Sequence, residues 1–348
     1  MHKHVGKYKN PKFRMKKNDI YFYLFIITFF VCSKNLKAQA TPYIGDFTLP
    51  EDIIIINDNI YVSELGGGLT KVTITESNPT QTNIGNSAVD ARGLTFDGNY
   101  LYFPDINNNS IRRINILETS PVISDFLVYE YSGNNVFFIG HGIVVSDNFL
   151  YFVRSSEDDQ SKMIISKVNI TDPSLLVEDI IVVDHYIRDF VFYQNFIYFV
   201  NSDSDIVKIN TSDSNPIVEN VISNLNEPTY MAIKGNELFF SETQENKISK
   251  VNLNSSDLTP SFVVSIASPK GIAFKNDDLF IIGGDWIYKF SISTLKIDNV
   301  DSLNKNIFPN PSNDFIKINN ITTNTIYEIY NTLGIKVLEG KINNKEKI

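Results

Sequence analysis

Short apolar runs alternate with polar turns from residue 43 to about residue 297, and the length of these runs is typical of β-strands. Segments such as LYF, IYFV and IIII are rich in aromatic and β-branched residues, and Asn, Asp and Gly separate them. None of these segments has the 3.6-residue period of an amphipathic helix. The pattern therefore predicts an all-β fold.

One block of strands recurs six times. Each copy has a short apolar strand, a turn with Asn or Asp, an aromatic-rich strand, a polar loop and a third strand with a basic residue near its end. The aromatic anchors of the second strands, 41, 49, 47, 41 and 41 residues apart, are Tyr61, Tyr102, Tyr151, Tyr198, Phe239 and Phe280. The basic column of the third strands is Lys71, Arg113, Lys167, Lys208, Lys250 and Lys289. We expect this column to be structural, pairing with acids or carbonyl groups of a neighbouring blade.

The repeat predicts a six-bladed β-propeller over residues 41–300. A further extended run such as IIVVDHY or FVVSIA follows the third strands, and four-stranded sheets at a period of ~40–50 residues are typical of propeller blades. The last copy has no fourth strand after Leu295, whereas FTLPEDIIII before the first copy matches SIASPKGIAF. We therefore predict that residues 43–49 complete the sixth blade, so that the N-terminal strand closes the ring.

The second copy carries a family resemblance. Its sequence Tyr102-Phe-Pro-Asp105, followed by Asn109-x-Ile111-x-Arg113-x-Asn115, resembles the repeats of six-bladed propellers of the YWTD and NHL type. The acid of the Tyr–Asp pairing is kept in part, as Glu64 and Glu242, and is replaced elsewhere by Ser155, Ser202 and Gly283. The resemblance implies the architecture and says little about function.

The N-terminus has the organisation of an export signal. Residues 1–19 contain seven basic residues, Ile20 to Val31 are apolar or nearly so, and Ala38-Gln39-Ala40 fits a small-x-small cleavage site. Twelve apolar residues fall short of the ~20 that a membrane-spanning helix needs. We therefore predict a signal peptide over residues 1–40, cleaved near Ala40, and no transmembrane span in the mature chain.

Removal of this segment makes the chain strongly acidic. It holds nine of the 31 basic residues, one of the 40 acidic residues and the single cysteine, Cys32, which leaves 22 basic against 39 acidic residues and a net charge of −17. A chain without cysteine has neither a disulfide framework nor a CxxC metal site. A nucleic-acid-binding protein is disfavoured as well, because it needs a basic face.

The sequence pattern of the C-terminal residues 301–348 differs from that of the repeats. Ile307-Phe-Pro-Asn-Pro-Ser312 introduces FIKI, and YEIYNTLGIKVLEG reads as a β-hairpin with a turn at Leu333-Gly334. These residues resemble the C-terminal sorting domain of proteins exported by the type IX secretion system of Bacteroidota. The resemblance implies export to the cell surface or medium, with the type IX machinery as a partner. The later strands of that domain are missing, so we expect a partial β-sandwich. The alternative is a seventh blade, which lacks an aromatic anchor.

The first strand of each propeller blade lines the central channel, and the residue that opens it is expected at the channel mouth. In the six copies this column reads Glu51, Arg92, His141, Arg188, Tyr230 and Lys270. Three of these side chains are cationic and His141 can become so. One interpretation is a pocket for a carboxylate, sugar acid, glycan or peptide terminus, since Arg forms bidentate contacts with carboxylates. The other is that these groups pair with loop acids and seal the channel.

Other chemistries find little support in the sequence. The acidic loops Glu157-Asp158-Asp159 and Asp203-x-Asp205 offer oxygen ligands for calcium but lack the spacing of a calcium loop. No GxSxG, HExxH or P-loop motif occurs. We therefore expect no catalytic residue, metal or cofactor. The first hypothesis is a secreted or surface-displayed binding propeller with an unknown extracellular ligand. The alternative is a propeller enzyme, either a calcium-dependent lactonase-like hydrolase or a lyase.

Overall fold

The computed structural model covers the propeller and four short C-terminal strands. It describes residues 40–74, 79–84, 90–128, 139–156, 159, 161–184, 186–292, 307–308, 317–318, 325–330 and 336–342. The predicted signal peptide lies outside these residues, except for Ala40, and stays a prediction. No helix in these ranges combines the length and apolar character needed to cross a membrane.

The first three blades are four-stranded antiparallel sheets whose strands follow chain order. Blade 1 contains β2 (Pro50–Ile56), β3 (Asn59–Glu64), β4 (Gly68–Thr73) and β5 (Gln81–Ile84). Blade 2 contains β6 (Thr95–Phe96), β7 (Tyr100–Asp105), β8 (Ser110–Asn115) and β9 (Ile123–Val128). Blade 3 contains β10 (Ile139–Ser146), β11 (Phe149–Ser155), β12 (Met163–Asn169) and β13 (Val177–Val183).

The other three blades repeat this arrangement, with one strand borrowed from the start of the chain. Blade 4 contains β14 (Phe190–Tyr193), β15 (Phe196–Val200), β16 (Ile206–Asn210) and β17 (Glu219–Ile222). Blade 5 contains β18 (Pro228–Lys234), β19 (Glu237–Glu242), β20 (Lys247–Asn252) and β21 (Ser261–Ser265). Blade 6 contains β22 (Pro269–Lys275), β23 (Asp278–Gly283), β24 (Trp286–Ser291) and β1 (Thr41–Ile44). These sheets confirm the predicted all-β, six-bladed propeller.

The hydrophobic core lies between the blades. The described residues form six apolar clusters, one at each junction between neighbouring blades, including the junction of blade 6 with blade 1. Alternate side chains of a strand point to opposite faces of its sheet, so each blade buries one set against each neighbour. All six aromatic anchors are buried. The ring therefore replaces a single central core with six interfaces around the channel.

The N-terminal strand closes the ring, as predicted, but it begins and ends earlier than expected. The strand β1 pairs antiparallel with β24 through Thr41, Pro42 and Ile44. The predicted span of residues 43–49 is therefore wrong except at its first two residues. The physical reason for the early end is the backbone of Asp46 and Leu49, whose positive φ values of 69° and 48° are incompatible with an extended strand.

Buried acids at the ends of three second strands hold the chain that enters each blade. Glu64 accepts a hydrogen bond of 2.6 Å from the Thr48 backbone N–H, and Asp105 accepts one of 3.2 Å from Asp90. Glu242 accepts a weaker bond of 3.4 Å from Asn226. These are the acidic positions that the repeat keeps in blades 1, 2 and 5. Their full burial and repeated partners indicate a structural role.

Four of the six basic residues in the third-strand column form ion pairs inside their own blade, and no described contact joins the column to a neighbouring blade, so that expectation is wrong. Ion pairs within one sheet join Lys167 to Glu178, Lys208 to Glu219, Lys250 to Glu237 and Lys289 to Asp278, at 2.6 to 3.3 Å. Cross-strand neighbours lie ~5 Å apart, whereas packed sheets lie ~10 Å apart. An acid on the adjacent strand is therefore the nearer partner.

The C-terminal residues, from Ile297 onwards, are assigned to a different unit from the propeller, which belongs to the unit Ala38–Lys296. The described C-terminal strands form two antiparallel pairs. The first joins β25 (Ile307–Phe308) to β26 (Lys317–Ile318), and the second joins β27 (Thr325–Tyr330) to β28 (Lys336–Ile342). The second pair is the hairpin expected from the sequence.

Candidate functional site at the channel mouth

One pocket brings together the six residues of the mouth column. It has a volume of about 340 Å³, and its lining contains Glu51, Arg92, His141, Arg188, Tyr230 and Lys270. Four further side chains line it that the column did not include: Tyr186, Thr229, Thr243 and Ser268. Thr229 lies at the repeat position of blade 5, because Ala232 pairs with Phe239 as Ile54 pairs with Tyr61. The prediction of Tyr230 at that position is therefore wrong by one residue, although Tyr230 also lines the pocket. The other three side chains flank the mouth residues or lie at the start of a loop, so the repeat position did not reveal them. We name this cavity the mouth pocket.

Irregular pairing of the innermost strands aims these side chains at the channel. In blades 1, 3, 5 and 6 the register between the first and second strands shifts at the mouth residue, as between Pro50 and Ile53 or between Pro269 and Ile272. In blade 2 the bridge between Ala91 and Asp105 is separated from β6 by Arg92 and its neighbours. A bulge inserts an extra residue and turns its side chain out of the regular alternation.

The negative charge of Glu51 is compensated inside the pocket. Lys270 Nζ donates to Glu51 Oε1 at 2.5 Å and to the Pro50 carbonyl oxygen at 3.1 Å. Tyr230 donates its hydroxyl proton to Glu51 Oε2 at 2.7 Å. Burial and the adjacent Glu51 carboxylate raise the pKa of Tyr230 well above its usual range, so this phenol stays protonated. This part of the mouth fits the interpretation that charged side chains seal the channel.

Arg92 uses only part of its hydrogen-bonding capacity. Its Nη1 lies 2.9 Å from His141 Nε2, and its Nη2 lies 3.6 Å from Asp90 Oδ2. Within the described chain, Arg92 Nε and Asp90 Oδ1 are buried atoms without a hydrogen-bond partner. The guanidinium group therefore retains unused donor capacity next to the pocket.

Arg188 lines the pocket with its guanidinium group uncompensated. Among the described residues it forms neither an ion pair nor a side-chain hydrogen bond, although its backbone N–H donates to the Val200 carbonyl oxygen at 3.1 Å. An Arg side chain carries five N–H donors and a permanent charge. Its presence in a partly enclosed pocket leaves that charge available to a bound anion.

His141 is neutral in this setting, although the sequence suggested that it could be cationic. Burial, followed by the positive charge of Arg92, lowers the pKa of His141 to about 4, and Arg188 and Lys270 act in the same direction. The Nε2 atom facing Arg92 is then an acceptor. At neutral pH the lining residues therefore carry three positive charges and one negative charge.

A second layer of side chains lies directly after the mouth residues in sequence. Asp52 accepts backbone N–H bonds of 2.8 Å from Ile53 and Leu94, and Asp189 accepts one of 2.9 Å from Met231. Burial raises the pKa of Asp52 to about 7, and burial together with Asp52 raises the pKa of Asp189. Sequence reasoning missed this pair because a lone Asp beside a strand residue carries no motif.

The described residues contain no group of three or more His, Cys, Asp or Glu side chains arranged to hold a metal ion. Asp205 accepts hydrogen bonds from Asn220 on β17 and from the backbone N–H of Asn224, which follows that strand. Ser161 donates both its backbone N–H and its hydroxyl group to Asp159 Oδ1. Glu157, Asp158 and His185 lie outside the described residues.

The C-terminal residues match a known family. Residues 306–348 match the family described as the secretion system C-terminal sorting domain. This match confirms the sorting domain predicted from the NP-S opening and the hairpin, and it points to the type IX secretion machinery as a partner. No curated protein sequence matches the chain.

Solved structures resemble the propeller at low sequence identity. A gluconolactonase from Xanthomonas campestris is 11% identical, covers 74% of this chain and 98% of its own, and has a TM-score of 0.59. A luciferin-regenerating enzyme is 11% identical, covers 71% and 92%, and has a TM-score of 0.56. A catalytically inactive virginiamycin B lyase from Staphylococcus aureus with quinupristin is 16% identical, covers 73% and 98%, and has a TM-score of 0.51.

Identities this low establish a shared fold and leave the chemistry of the site to its own residues. The fold and the family match lead to one conclusion. The chain combines a six-bladed β-propeller with a secretion system C-terminal sorting domain, and it is a secreted or cell-surface protein.

Proposed function

We propose that this protein is an extracellular binding propeller whose mouth pocket takes the carboxylate group of a small ligand, such as a sugar acid or the C-terminus of a peptide. The observation that carries the proposal is the uncompensated guanidinium group of Arg188 in a pocket that also contains Arg92. Arginine binds carboxylates through two parallel N–H···O bonds, which gives both energy and orientation.

The charge balance of the pocket supports an anion. Lys270 and Tyr230 already satisfy the one acid of the lining, Glu51. His141 adds no charge at neutral pH, because its pKa is about 4. The protein as a whole is negatively charged, so the net positive charge of this pocket is a local feature. A ligand with a carboxylate group supplies the negative charge that the pocket lining lacks.

The polar groups around the arginines suit a ligand with hydroxyl or amide groups. Thr229 and Thr243 line the pocket, with their hydroxyl oxygens 3.1 Å apart, and Ser268 lies beside them. The volume of about 340 Å³ lies near the lower end of the ~300–1,000 Å³ range of small-molecule sites. A monosaccharide acid or a terminal dipeptide fits these requirements.

The test is a titration of the purified propeller with D-gluconate and with a tripeptide that has a free C-terminus. Arg188→Gln should weaken binding at least about tenfold, because a charge-assisted hydrogen bond is lost. Lys275→Gln is the matched control, since Lys275 pairs with Asp58 and does not line the pocket. Binding of neither probe, or equal binding by Arg188→Gln, would refute the proposal.

The enzymatic alternative gives a different result in the same preparation. A calcium-dependent lactonase would hydrolyse D-glucono-1,5-lactone and would gain thermal stability when calcium is added. A binding propeller would do neither. Turnover of the lactone that disappears in Glu51→Gln would establish the alternative and replace the present proposal.

A further inference from the structure

The repeat itself points to a second site, on the side of blade 1 that faces blade 2. Each third strand carries one basic residue at the same position, so the six blades can be compared directly. Where the basic residue of one blade differs in its contacts from those of the other five, the shared fold does not explain the difference. Blade 1 departs at Lys71.

Five of the six basic side chains have a partner. Lys167, Lys208, Lys250 and Lys289 form the ion pairs within their blades, and each also lies 4.4 to 5.7 Å from the centre of an aromatic ring. Arg113 lies 4.4 Å above the ring of Tyr100 and 5.2 Å from that of Phe126. Within the described chain, Lys71 forms no ion pair, hydrogen bond or aromatic contact.

The sequence of blade 1 explains why Lys71 lacks a partner. The residue two before the aromatic anchor is aromatic in blades 2 to 4 and acidic in blades 5 and 6, but it is Asn59 in blade 1. The cross-strand neighbour on the outer strand is Glu178 in blade 3 and Glu219 in blade 4, but it is Thr82 here. Both positions that neutralise the column elsewhere are neutral and polar in blade 1.

Lys71 lines a cleft of about 460 Å³ between blades 1 and 2. Its cross-strand partner Tyr61 also lines this cleft. The Tyr61 side chain is 3% exposed, and its hydroxyl forms no hydrogen bond with the described residues. By contrast, the anchor of blade 2, Tyr102, donates to Asp97 at 2.9 Å. Burial raises the pKa of Tyr61, so its hydroxyl keeps its proton and remains a donor.

The remaining walls of the cleft have mixed character. Threonine side chains contribute hydroxyl groups from β4 and β5, and Ile84, Ile116 and Pro121 contribute apolar surface. Glu118 lines the opposite side, where its carboxylate accepts a hydrogen bond of 3.2 Å from Asn115 and forms no ion pair among the described residues. An inorganic anion would gain from Lys71 but not from Glu118. A sugar acid would gain from both, because its hydroxyl groups donate to the carboxylate.

We propose that the cleft between blades 1 and 2 is a second binding site, separate from the mouth pocket, for an acidic saccharide unit whose carboxylate or sulfate group lies between Lys71 and Tyr61. The ammonium group and the phenol donate to the acidic group. The hydroxyl groups of the sugar exchange hydrogen bonds with the threonines and Glu118, and its C–H faces pack against the apolar wall.

The test is isothermal titration calorimetry with D-glucuronate, D-galacturonate and glucose 6-sulfate. All proteins carry Arg92→Gln and Arg188→Gln, so that an acid bound in the mouth pocket does not contribute and failure of the first proposal leaves this test intact. At least one probe should bind with a stoichiometry of one. Lys71→Gln should weaken it at least about tenfold, and Tyr61→Phe should weaken it by a smaller factor while the ring packing is retained.

The repeat supplies the matched control. Lys208→Gln removes the equivalent cation of blade 4, where Glu219 already neutralises it, and should leave binding unchanged. Melting temperatures of the variants show whether they fold. Absence of binding by all three probes, equal loss in Lys208→Gln, or equal affinity for methyl glucoside or for inorganic sulfate would overturn the proposal.

Discussion

At the scale of single residues, the mouth pocket shows how one repeat position acquires different properties in different blades. The residues Glu51, Arg92, His141, Arg188 and Lys270 occupy equivalent backbone sites, whereas Tyr230 lies one position later, where blade 1 has Asp52. Neighbours on adjacent blades set the state of each side chain. Lys270 is compensated by Glu51, whereas Arg188 forms no ion pair among the described residues. The pocket is therefore asymmetric within a nearly symmetric ring.

The pKa of His141 can be measured, and it depends on this uneven distribution of charge. We predict that its imidazole titrates near pH 4 in the folded protein, because burial and the adjacent cations disfavour the charged ring. Between the ordinary value of ~6.5 and 4, the unfolded chain binds more protons at this site than the folded chain, so the free energy of unfolding should fall as the pH is lowered through that window.

NMR titration of the imidazole measures this pKa directly. Arg92→Gln should raise it, because one of the neighbouring charges is removed while burial is retained. His141→Gln should remove this residue's contribution to the pH dependence of stability between pH 6.5 and 4. An imidazole that titrates near pH 6.5 in the folded protein would show that the ring is not buried among these cations.

At the scale of strands, small residues allow the innermost strands to approach near the axis. The residue after the mouth position is glycine in three blades, and a Cβ atom built on Gly93 would lie 2.1 Å from the His141 carbonyl oxygen. In blades 1 and 4 the same position is Asp, which reaches the backbone N–H of the next blade. Two solutions, close contact and a bridging carboxylate, therefore join neighbouring blades at the channel.

Gly93→Ala tests the importance of this close approach. We expect the free energy of unfolding to fall by about 3 kcal/mol or more, since the added methyl group meets backbone and two inner strands have to separate. Gly66→Ala is the control, because its Cβ meets nothing within 4 Å and only its φ of 67° opposes the substitution, at a cost of ~1–2 kcal/mol. Equal effects in denaturant unfolding would contradict the packing argument.

At the scale of the whole molecule, the ring is closed by residues that are distant in sequence. β1 pairs with β24, Tyr43 packs edge-on against Phe280 at 5.4 Å, and the Phe47 backbone N–H donates to the Asp285 carbonyl oxygen at 3.2 Å. Gly45 lies against the ring of Trp286, so this Trp packs on the closing segment. Closure covers the outer edge of blade 6 and ties the last blade to the first.

Removing the closing strand should destabilise the entire propeller. A chain that begins at Gly45 should melt at least about 5 °C below one that begins at Ala40, because an edge strand and its packing are lost. Differential scanning calorimetry measures the difference. The chain beginning at Ala40 serves as the control, since it retains β1. Equal melting temperatures would show that the ring is stable without this pairing.

The sequence predicted the fold and the mouth column for the same reason. A periodic chain repeats its backbone geometry, so residues at equivalent positions, such as Arg92 and Arg188, come to equivalent places around one axis. The prediction from sequence failed where the backbone departs from the repeated geometry. Asp46 and Leu49 end the closing strand early, and Tyr186 enters the pocket from a connection outside the aligned strands.

By itself, the amino-acid sequence determined the number of blades, the order of their strands, the closing of the ring by the N-terminus and the C-terminal sorting domain. These features follow from local periodicity and short motifs, which depend on residues close together in the chain. Only the tertiary structure decided which charges are compensated. Lys270 meets Glu51, Lys208 meets Glu219, and Arg188 and Lys71 meet no acid of the described chain. Ion pairing depends on distances of a few ångströms between strands, and folding alone fixes those distances.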